Sequence, residues 1–502
     1  MTITADISHT SGPSYHKRIM NRTTKIFLIV ICLITFFANI GALPTDIMES
    51  RNIITAREMV SDGCWLVPTM NGELRLAKPP LPTWTGGVAE LICPGSLAAQ
   101  RIPAAIMATL WTLFTLLIAR RLTRRNDFAV LTVVVMLTLY NMVLMGRSAT
   151  WDIYCHAFMM GGIYFLIKGL HDANGSSVWG WLVGAGVLMG LSFLSKGPVS
   201  FYALLLPFLI ALVLWWRPAS MKGKWLPVSA CLLTTVVVGG AYYAWLVGYH
   251  MPELQQVAHQ ESGAWVNHNV RPWYYYWRFF LEGGAWAPFI LAALAVPYWR
   301  TRLTANSGYL FAAGWMILQL VLLSLMPEKK MRYLLPMSPT VAMSVAFVLL
   351  WIIDHTRYGK AARIYVWTIL GIFLVAELFL LKPIGALFGN PEAHSIALVK
   401  NDKRLKRIPF YHNSSEDLRI ELVYEAGRKI LPLNLKDSAQ VAAKLPCAIV
   451  SRLPIGEEMP EHVLKSVKTT HIGTFDDNKH PKSNRHYTKA FINHVTLLEP
   501  KP

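Results

Sequence analysis

Long apolar runs separated by short polar connectors make up most of this chain. A membrane span needs about 20 mostly apolar residues. Runs of that kind fall at 26–43, 102–120, 128–145, 153–170, 179–195, 198–216, 226–247, 284–299, 308–326, 333–353 and 364–382. The pattern predicts an α-helical polytopic membrane protein with about eleven transmembrane helices. No clear cleavage site follows the first run, which therefore reads as an anchor. Two polar stretches break the rhythm, a first outer loop at 44–101 and a fourth at 248–283. Beyond 382 the chain turns polar, with short apolar runs such as Cys447-Ala448-Ile449-Val450 that read as strands. The expected organisation is a segment 1–25, a membrane domain 26–382 and a small α/β domain 383–502.

Composition agrees with this pattern. Of 502 residues, 54% are hydrophobic and 15% charged, against about 25% charged in a soluble domain. The net charge of +19 would suit a nucleic-acid binder. Its placement in short connectors instead follows the positive-inside rule, so no nucleic-acid partner is expected. Putting Lys17, Arg18, Arg22 and Lys25 inside also puts four further basic connectors inside: Arg120 to Arg125, Arg217 to Lys224, Arg300 with Arg302, and Arg357 to Arg363. An odd number of spans then leaves the C-terminal domain outside. The expectation is a multi-pass inner (plasma) membrane protein with a cytoplasmic N-terminus and an extracytoplasmic, periplasmic C-terminal domain. The six cysteines have no metal-site spacing. Cys64 and Cys93 fall on one side of the membrane, which leaves a disulfide between them open.

The outer face breaks the charge rule. Arg147, Lys196, Arg271, Lys329, Lys330 and Arg332 lie at or near outer span ends, where positive charge is disfavoured without a role. Singly, each reads equally as a snorkelling side chain or an ion pair. Together with Lys78 they form a set able to converge on an anion such as an isoprenoid phosphate. Asp46, Glu49 and Glu58 lie in the first loop, and Asp152 opens the fourth span. Asp152 is a functional candidate by cost of burial and a helix N-cap by residue type. Ile47, Met48, Ile54, Met59 and Val60 mark an amphipathic helix lying on the membrane. On that helix Glu49 and Arg51 also fit a solvated face, and an ion pair with a neighbouring Arg accounts for Glu58. The fourth outer loop carries His259, Glu261, His268 and Arg271, then Tyr274, Tyr275, Tyr276 and Trp277. The histidines match no compact zinc spacing and read as surface groups or metal ligands. The aromatics read as an interfacial belt or as sugar-stacking groups.

Four stretches recur in order: Ala56-Arg57-Glu58-Met59 with Trp65-Leu66-Val67-Pro68 and Lys78-Pro79-Pro80; Arg101-Ile102-Pro103; Leu194-Ser195-Lys196-Gly197-Pro198; and Lys329-Lys330-Met331-Arg332-Tyr333-Leu334-Leu335-Pro336. With them the chain, over roughly 26 to 350, resembles the GT-C superfamily of polyprenyl-phosphate-sugar-dependent glycosyltransferases. That group includes protein O-mannosyltransferases and lipid A aminoarabinose transferases. The resemblance implies a GT-C fold and an inverting sugar transfer from a lipid-linked donor to lipid A, an envelope glycan or a protein. It makes Glu49 the acceptor's base or orienting group, with Asp152 supporting the same site. It makes Lys78 the donor-phosphate partner, with Lys196, Arg271, Lys330, Arg332 and Tyr333 as further contacts. Two positions depart from the pattern. Met48 stands where the first of two acids is expected, and Asp46 is the nearby substitute. Ala77 stands where aminoarabinose transferases carry a glutamate that holds a metal with a loop histidine, so a divalent metal on His259 or His268 is not assumed.

A lipid-linked donor also fits the absence of any G-x-G-x-x-G or P-loop pattern. The rival reading is a transporter or flippase for lipid-linked sugars. It would place ionisable residues near span centres and breaks in paired helices, whereas these spans carry their charges near the ends.

Overall fold

The computed structural model describes residues 20–267, 269–303, 307–383, 390 and 392–501. Helix α1 (Arg22–Phe37) leads into a folded loop of α2 (Ile47–Asp62), a hairpin of β1 (Thr69–Met70) and β2 (Glu73–Leu74), and α3 (Leu81–Ile92). Asp46 caps α2 and Gly63, at φ 71°, ends it in the left-handed region. The hairpin turns on Asn71-Gly72, at φ 56° and 82°, the residue pair that suits a turn needing positive φ at both central positions.

The bundle continues through α4 (Leu97–Thr123), α5 (Asn126–Leu137), α6 (Tyr140–Gly146), α7 (Trp151–Ile167), α8 (Ser177–Lys196), α9 (Leu206–Trp215) and α10 (Trp225–Tyr249). It closes with α11 (Met251–Asn267), α12 (Ala287–Ala293), α13 (Val296–Arg302), α14 (Ser307–Leu325), α15 (Ser338–His355) and α16 (Gly359–Val375). Among the described residues, seven helical segments are long and apolar enough to cross a membrane, or up to nine if each bent pair is one span. The chain is a multi-pass membrane protein. Every expected span falls on a helical segment. Two of them fall on α1 and on α9 with its π-helical lead-in at Phe201–Leu205, which are short. The span expected at 128–145 is two helices, α5 and α6, bent by 72°. Apolar faces of α10 and α16 are open, with Leu232, Leu233, Ile364 and Trp367 all more than half exposed, as lipid-facing surfaces require.

Helices α8 and α10 meet over small residues. A Cβ on Gly186 would lie 2.5 Å from the Cys231 carbonyl oxygen, and one on Gly190 would lie 2.6 Å from Val238 Cβ. Such approach lets backbones pack where lipid supplies no hydrophobic drive. At the bundle's other edge Arg121 pairs with Asp172, Arg125 with Asp354, and Lys224 donates to the Leu170 carbonyl. The basic connectors expected on one side therefore do meet at one end.

The C-terminal part runs β3 (Phe410–Asn413), α17 (Ile420–Ala426), β4 (Ile430–Leu433), α18 (Ser438–Ala443), β5 (Cys447–Ser451), β6 (Val467–Asp476) and β7 (Ile492–Pro500). They form a five-stranded sheet of order β4-β3-β5-β7-β6, with β3 parallel to β4 and β5 and with β7 antiparallel to β5 and β6. Every residue of β5 is buried, which explains why its run is continuously apolar. This domain sits on α2. Ile54, 1% exposed, packs into one of its core clusters, and Met59 is fully covered. The amphipathic helix of the first loop is present, but protein rather than lipid covers Ile54 and Met59, while Ile47 stays exposed. Periodicity reports that a face is buried, not what buries it.

Replacing Gly186 by alanine forces α8 and α10 apart at a backbone carbonyl. The expected cost is about 1–3 kcal/mol, read as a lowered thermal midpoint in detergent. An unchanged midpoint would refute the close approach of these two helices.

Candidate active site

The site is built from the start of α2. The exposed Asp46 accepts the Glu49 N–H at 2.7 Å, as an N-cap does. Glu49 then points inward, 1% exposed. Its two oxygens take Arg101 Nε and Nη2, both at 2.7 Å, and Oε1 also accepts the Ala149 N–H at 2.8 Å. Arg101 Nη1 donates to the carbonyls of Ile40 and Leu43 at 2.8 and 2.9 Å. One turn along α2, Asn52 donates to the Ala149 carbonyl at 2.8 Å and accepts from Thr83 at 2.7 Å. Both backbone groups of Ala149 are thus held by α2. Arg147, two residues earlier, donates to the Thr35 carbonyl at 2.6 Å and pairs with buried Glu377. The segment that opens α7 is fixed from two sides.

That segment aims Asp152. It lies in the first turn of α7, 4% exposed, and pairs with Lys196 in the last turn of α8. Three cations then surround one ring: Lys196 Nζ is 5.4 Å from the Tyr333 centroid, and Lys330 Nζ and Arg332 Cζ are each 5.8 Å away. Tyr333 donates to Glu328 at 3.1 Å, and Glu328 pairs with Lys330. The Tyr276 hydroxyl fixes Lys330, accepting its N–H at 2.9 Å and donating to its carbonyl at 3.0 Å. Arg271 joins through its backbone, its N–H bonding the Pro327 carbonyl at 3.3 Å and its carbonyl accepting Lys329 Nζ at 3.1 Å.

The structure therefore brings Asp152, Lys196, Lys330, Arg332 and Tyr333 together, with Arg271 on the adjoining strand pairing. Lys78 is half-buried in the first loop, two residues ahead of Pro80, the N-cap of α3. His259 is exposed on α11, and His268 lies outside the described residues. Glu58 needs a correction. Its carboxylate does not take an arginine but accepts Thr69 Oγ1 at 2.7 Å and the N–H groups of Asn71 and Gly72 at 2.6 and 3.1 Å. A turn with open backbone donors lies in its reach. Cys64 and Cys93 are free thiols. Sequence reasoning missed Glu328 and His156, and read Tyr276 as a belt or sugar-stacking aromatic. His156 follows Asp152 by four residues on one helix face, is 1% exposed, and its ring lies 5.6 Å from that of Trp111, tilted by 35°. Neither His156 Nδ1 nor Trp111 Nε1 has a partner.

The family model for dolichyl-phosphate-mannose-protein mannosyltransferase matches residues 77–241. An undecaprenyl phosphate-alpha-4-amino-4-deoxy-L-arabinose arabinosyl transferase of Edwardsiella ictaluri is 24% identical over 398 residues, 76% of this chain and 70% of that one. A protein of the same name from Enterobacter sp. is 25% identical over 309 residues, 59% of this chain and 54%, just over half, of its own length. The crystal structure of ArnT from Cupriavidus metallidurans bound to undecaprenyl phosphate superposes with a TM-score of 0.69 at 14% identity, covering 95% of this chain and 97% of that one. Over much of its length the chain is similar to glycosyltransferases that use polyprenyl-phosphate-linked sugars, and these likenesses support a membrane glycosyltransferase.

Among the described residues the donor set does not fit a resident metal. Ala77 supplies no ligand, and no group of three or more His, Cys, Asp or Glu able to hold an ion occurs among the described residues. No chemical step is routed through one.

Arg101→Met would leave the Glu49 carboxylate buried without its counter-charge. A loss of about 3–5 kcal/mol is expected, and the double variant Glu49→Leu/Arg101→Met should regain much of it. Thermal unfolding followed by helical signal decides. A double variant less stable than Arg101→Met alone would show that the pair's cost of burial is not what the single variant exposes.

Proposed function

We propose that this glycosyltransferase takes its sugar from an undecaprenyl-type phosphate at the outer leaflet of the inner membrane and gives it to an envelope lipid, glycan or protein. The carrying observation is the cluster at Tyr333, where three cations gather beside a carboxylate at the ends of three helical segments. An outer location supports the reading, because the opposite end of the bundle gathers the paired basic connectors. The N-terminus is then cytoplasmic and the C-terminal domain extracytoplasmic.

The chemistry needs two things from the protein. The acceptor oxygen attacks the anomeric carbon, the bond from that carbon to the phosphate oxygen breaks, and a proton leaves the acceptor. Asp152 takes that proton as general base. The departing phosphate gains a charge, and Lys196, Lys330 and Arg332, with Lys78 and Arg271, stabilise it. One displacement inverts the anomeric centre. Glu49 orients rather than attacks: its oxygens are committed to Arg101 and Ala149, and it acts through the segment that carries Asp152. Asp46 serves by capping the helix that presents Glu49.

Asp152→Asn keeps the shape and removes the base, so transfer should fall about 10²–10⁴-fold. Lys196→Met should also lower it, by about 10–100-fold, as lost charge stabilisation implies. The assay is label transfer from a lipid-linked sugar in membranes holding equal amounts of each protein. Wild-type transfer by Asp152→Asn would sink the assignment. Mass spectrometry of envelope lipids, glycans and proteins from a deletion strain would name the acceptor.

A further inference from the structure

The last apolar run, 364–382, carries one acid, Glu377, and the proposed chemistry leaves it without a role. It is 4% exposed. An ionisable group inside a span is costly and is a candidate for function. Glu377 lies in a π-helical turn, Ala376–Leu380, that follows α16. Such a turn shifts carbonyls off the α-helical ladder. The Asn39 side-chain amide, just past α1, donates to two carbonyls of this turn, those of Glu377 and Leu378, at 2.9 and 3.0 Å. The turn is thereby tied to the end of α1, and the Glu377 carboxylate meets Arg147.

Arg147 stands where three elements join. A Cβ on Gly146, the last residue of α6, would lie 2.5 Å from Phe36 Cε1, so α6 ends directly against the end of α1. Arg147 Nε donates to the Thr35 carbonyl at 2.6 Å and Nη2 to the Ile34 carbonyl at 3.2 Å. These belong to the last turn of α1, where a cation is favourable. The guanidinium is 3% exposed, so it stays there only with a counter-charge, which Glu377 supplies. Arg147 Nη1 nevertheless has no partner. A buried pair with an open donor adds little stability against an apolar substitute, so its use lies in geometry. Asp152 follows five residues later. Between them Ala149 is held by α2, whereas Arg147 is held by α1 and the last span. Two anchors on different elements fix the direction in which α7 starts; one alone would leave it free to pivot.

We propose that Glu377 is a positioning residue of the transfer reaction, acting through Arg147 to fix the segment 147–152 and with it the Asp152 carboxylate. This rests on reading Asp152 as the general base. The last span then serves the site's geometry as well as the bundle's closure.

The test uses the full-length protein in detergent. Label transfer from an extract of undecaprenyl-phosphate-linked sugars gives kcat and KM well below each thermal midpoint. The end point of an undecaprenyl phosphate titration gives the active fraction. Glu377→Gln should lower kcat per active molecule about 10–100-fold, as a small misplacement of a reacting group does. KM for the donor should hold, because the cations at Tyr333 are untouched. Glu377→Asp, which keeps the charge, should recover part of kcat. Glu377→Leu/Arg147→Met should return the midpoint toward wild type while kcat stays low, which separates positioning from stability. Wild-type kcat in a folded Glu377→Gln protein would overturn the proposal and leave the base assignment standing. So would a kcat that recovers together with the midpoint in the double variant. Wild-type transfer by Asp152→Asn would overturn the base assignment itself, and this inference with it.

Discussion

The pairing of Glu49 with Arg101 is the constraint on which the site's geometry depends. Both side chains are almost wholly buried, at 2% and 3% exposure. Two opposite charges taken from water lose solvation that their mutual attraction recovers only when the remaining donors are also satisfied. Here they are: the arginine's other N–H groups reach the carbonyls of Ile40, Leu43 and Pro44, and the glutamate takes the Ala149 N–H. A pair so connected adds little to stability against an apolar substitute, but it admits only one arrangement. It fixes the exit of α1, the start of α2, the start of α4 and the approach to α7 relative to one another. Asp152 inherits its position from that junction.

The electrostatics of the cluster at Tyr333 follow from the same economy of acids. Lys196, Lys330 and Arg332 stand around Tyr333 with Asp152 and Glu328 as the nearby carboxylates, which leaves one positive charge over at the cluster. Arg332 Nε has no partner although it is buried. A buried cation with an open donor is costly unless an anion completes it. Positive charge at a low-dielectric interface is an expense a membrane protein keeps for a ligand. A phosphate diester, with one negative charge, matches the surplus.

Sequence legibility divided along a physical line. The spans could be read because hydropathy needs only composition over a window. The cations at outer span ends stood out because they violate a charge rule, and five of the expected site residues, Asp152, Lys196, Lys330, Arg332 and Tyr333, do converge. Partners were not legible. Glu58 meets a turn rather than an arginine, and Asn71 meets Ile430 from 359 positions away; nothing in local periodicity encodes such a pairing. The break between α5 and α6 was hidden because a bent pair of apolar helices has the hydropathy of one span. Glu328 carried no signal of its own, and Tyr276 read as one of four belt or sugar-stacking aromatics. Their role depends on which loop folds against which, and that is set by tertiary packing alone.

A carboxylate tied to a lysine is a poor base, since the ammonium stabilises the charge that proton uptake would remove. The Asp152 and Lys196 pair therefore describes a resting site, and the same contact explains how the site would be switched on. A donor phosphate entering among Lys196, Lys330 and Arg332 competes for the lysine, and each hydrogen bond that Lys196 gives to phosphate weakens its hold on Asp152. The carboxylate becomes more basic as the leaving group becomes better stabilised. With the roles proposed for Asp152 and Lys196, base and leaving-group stabiliser are coupled through one proton-rich side chain, and an acceptor arriving before the donor would meet a masked base. Such ordering suits a membrane enzyme, because a carboxylate left free at the lipid boundary would be costly in every molecule waiting for substrate.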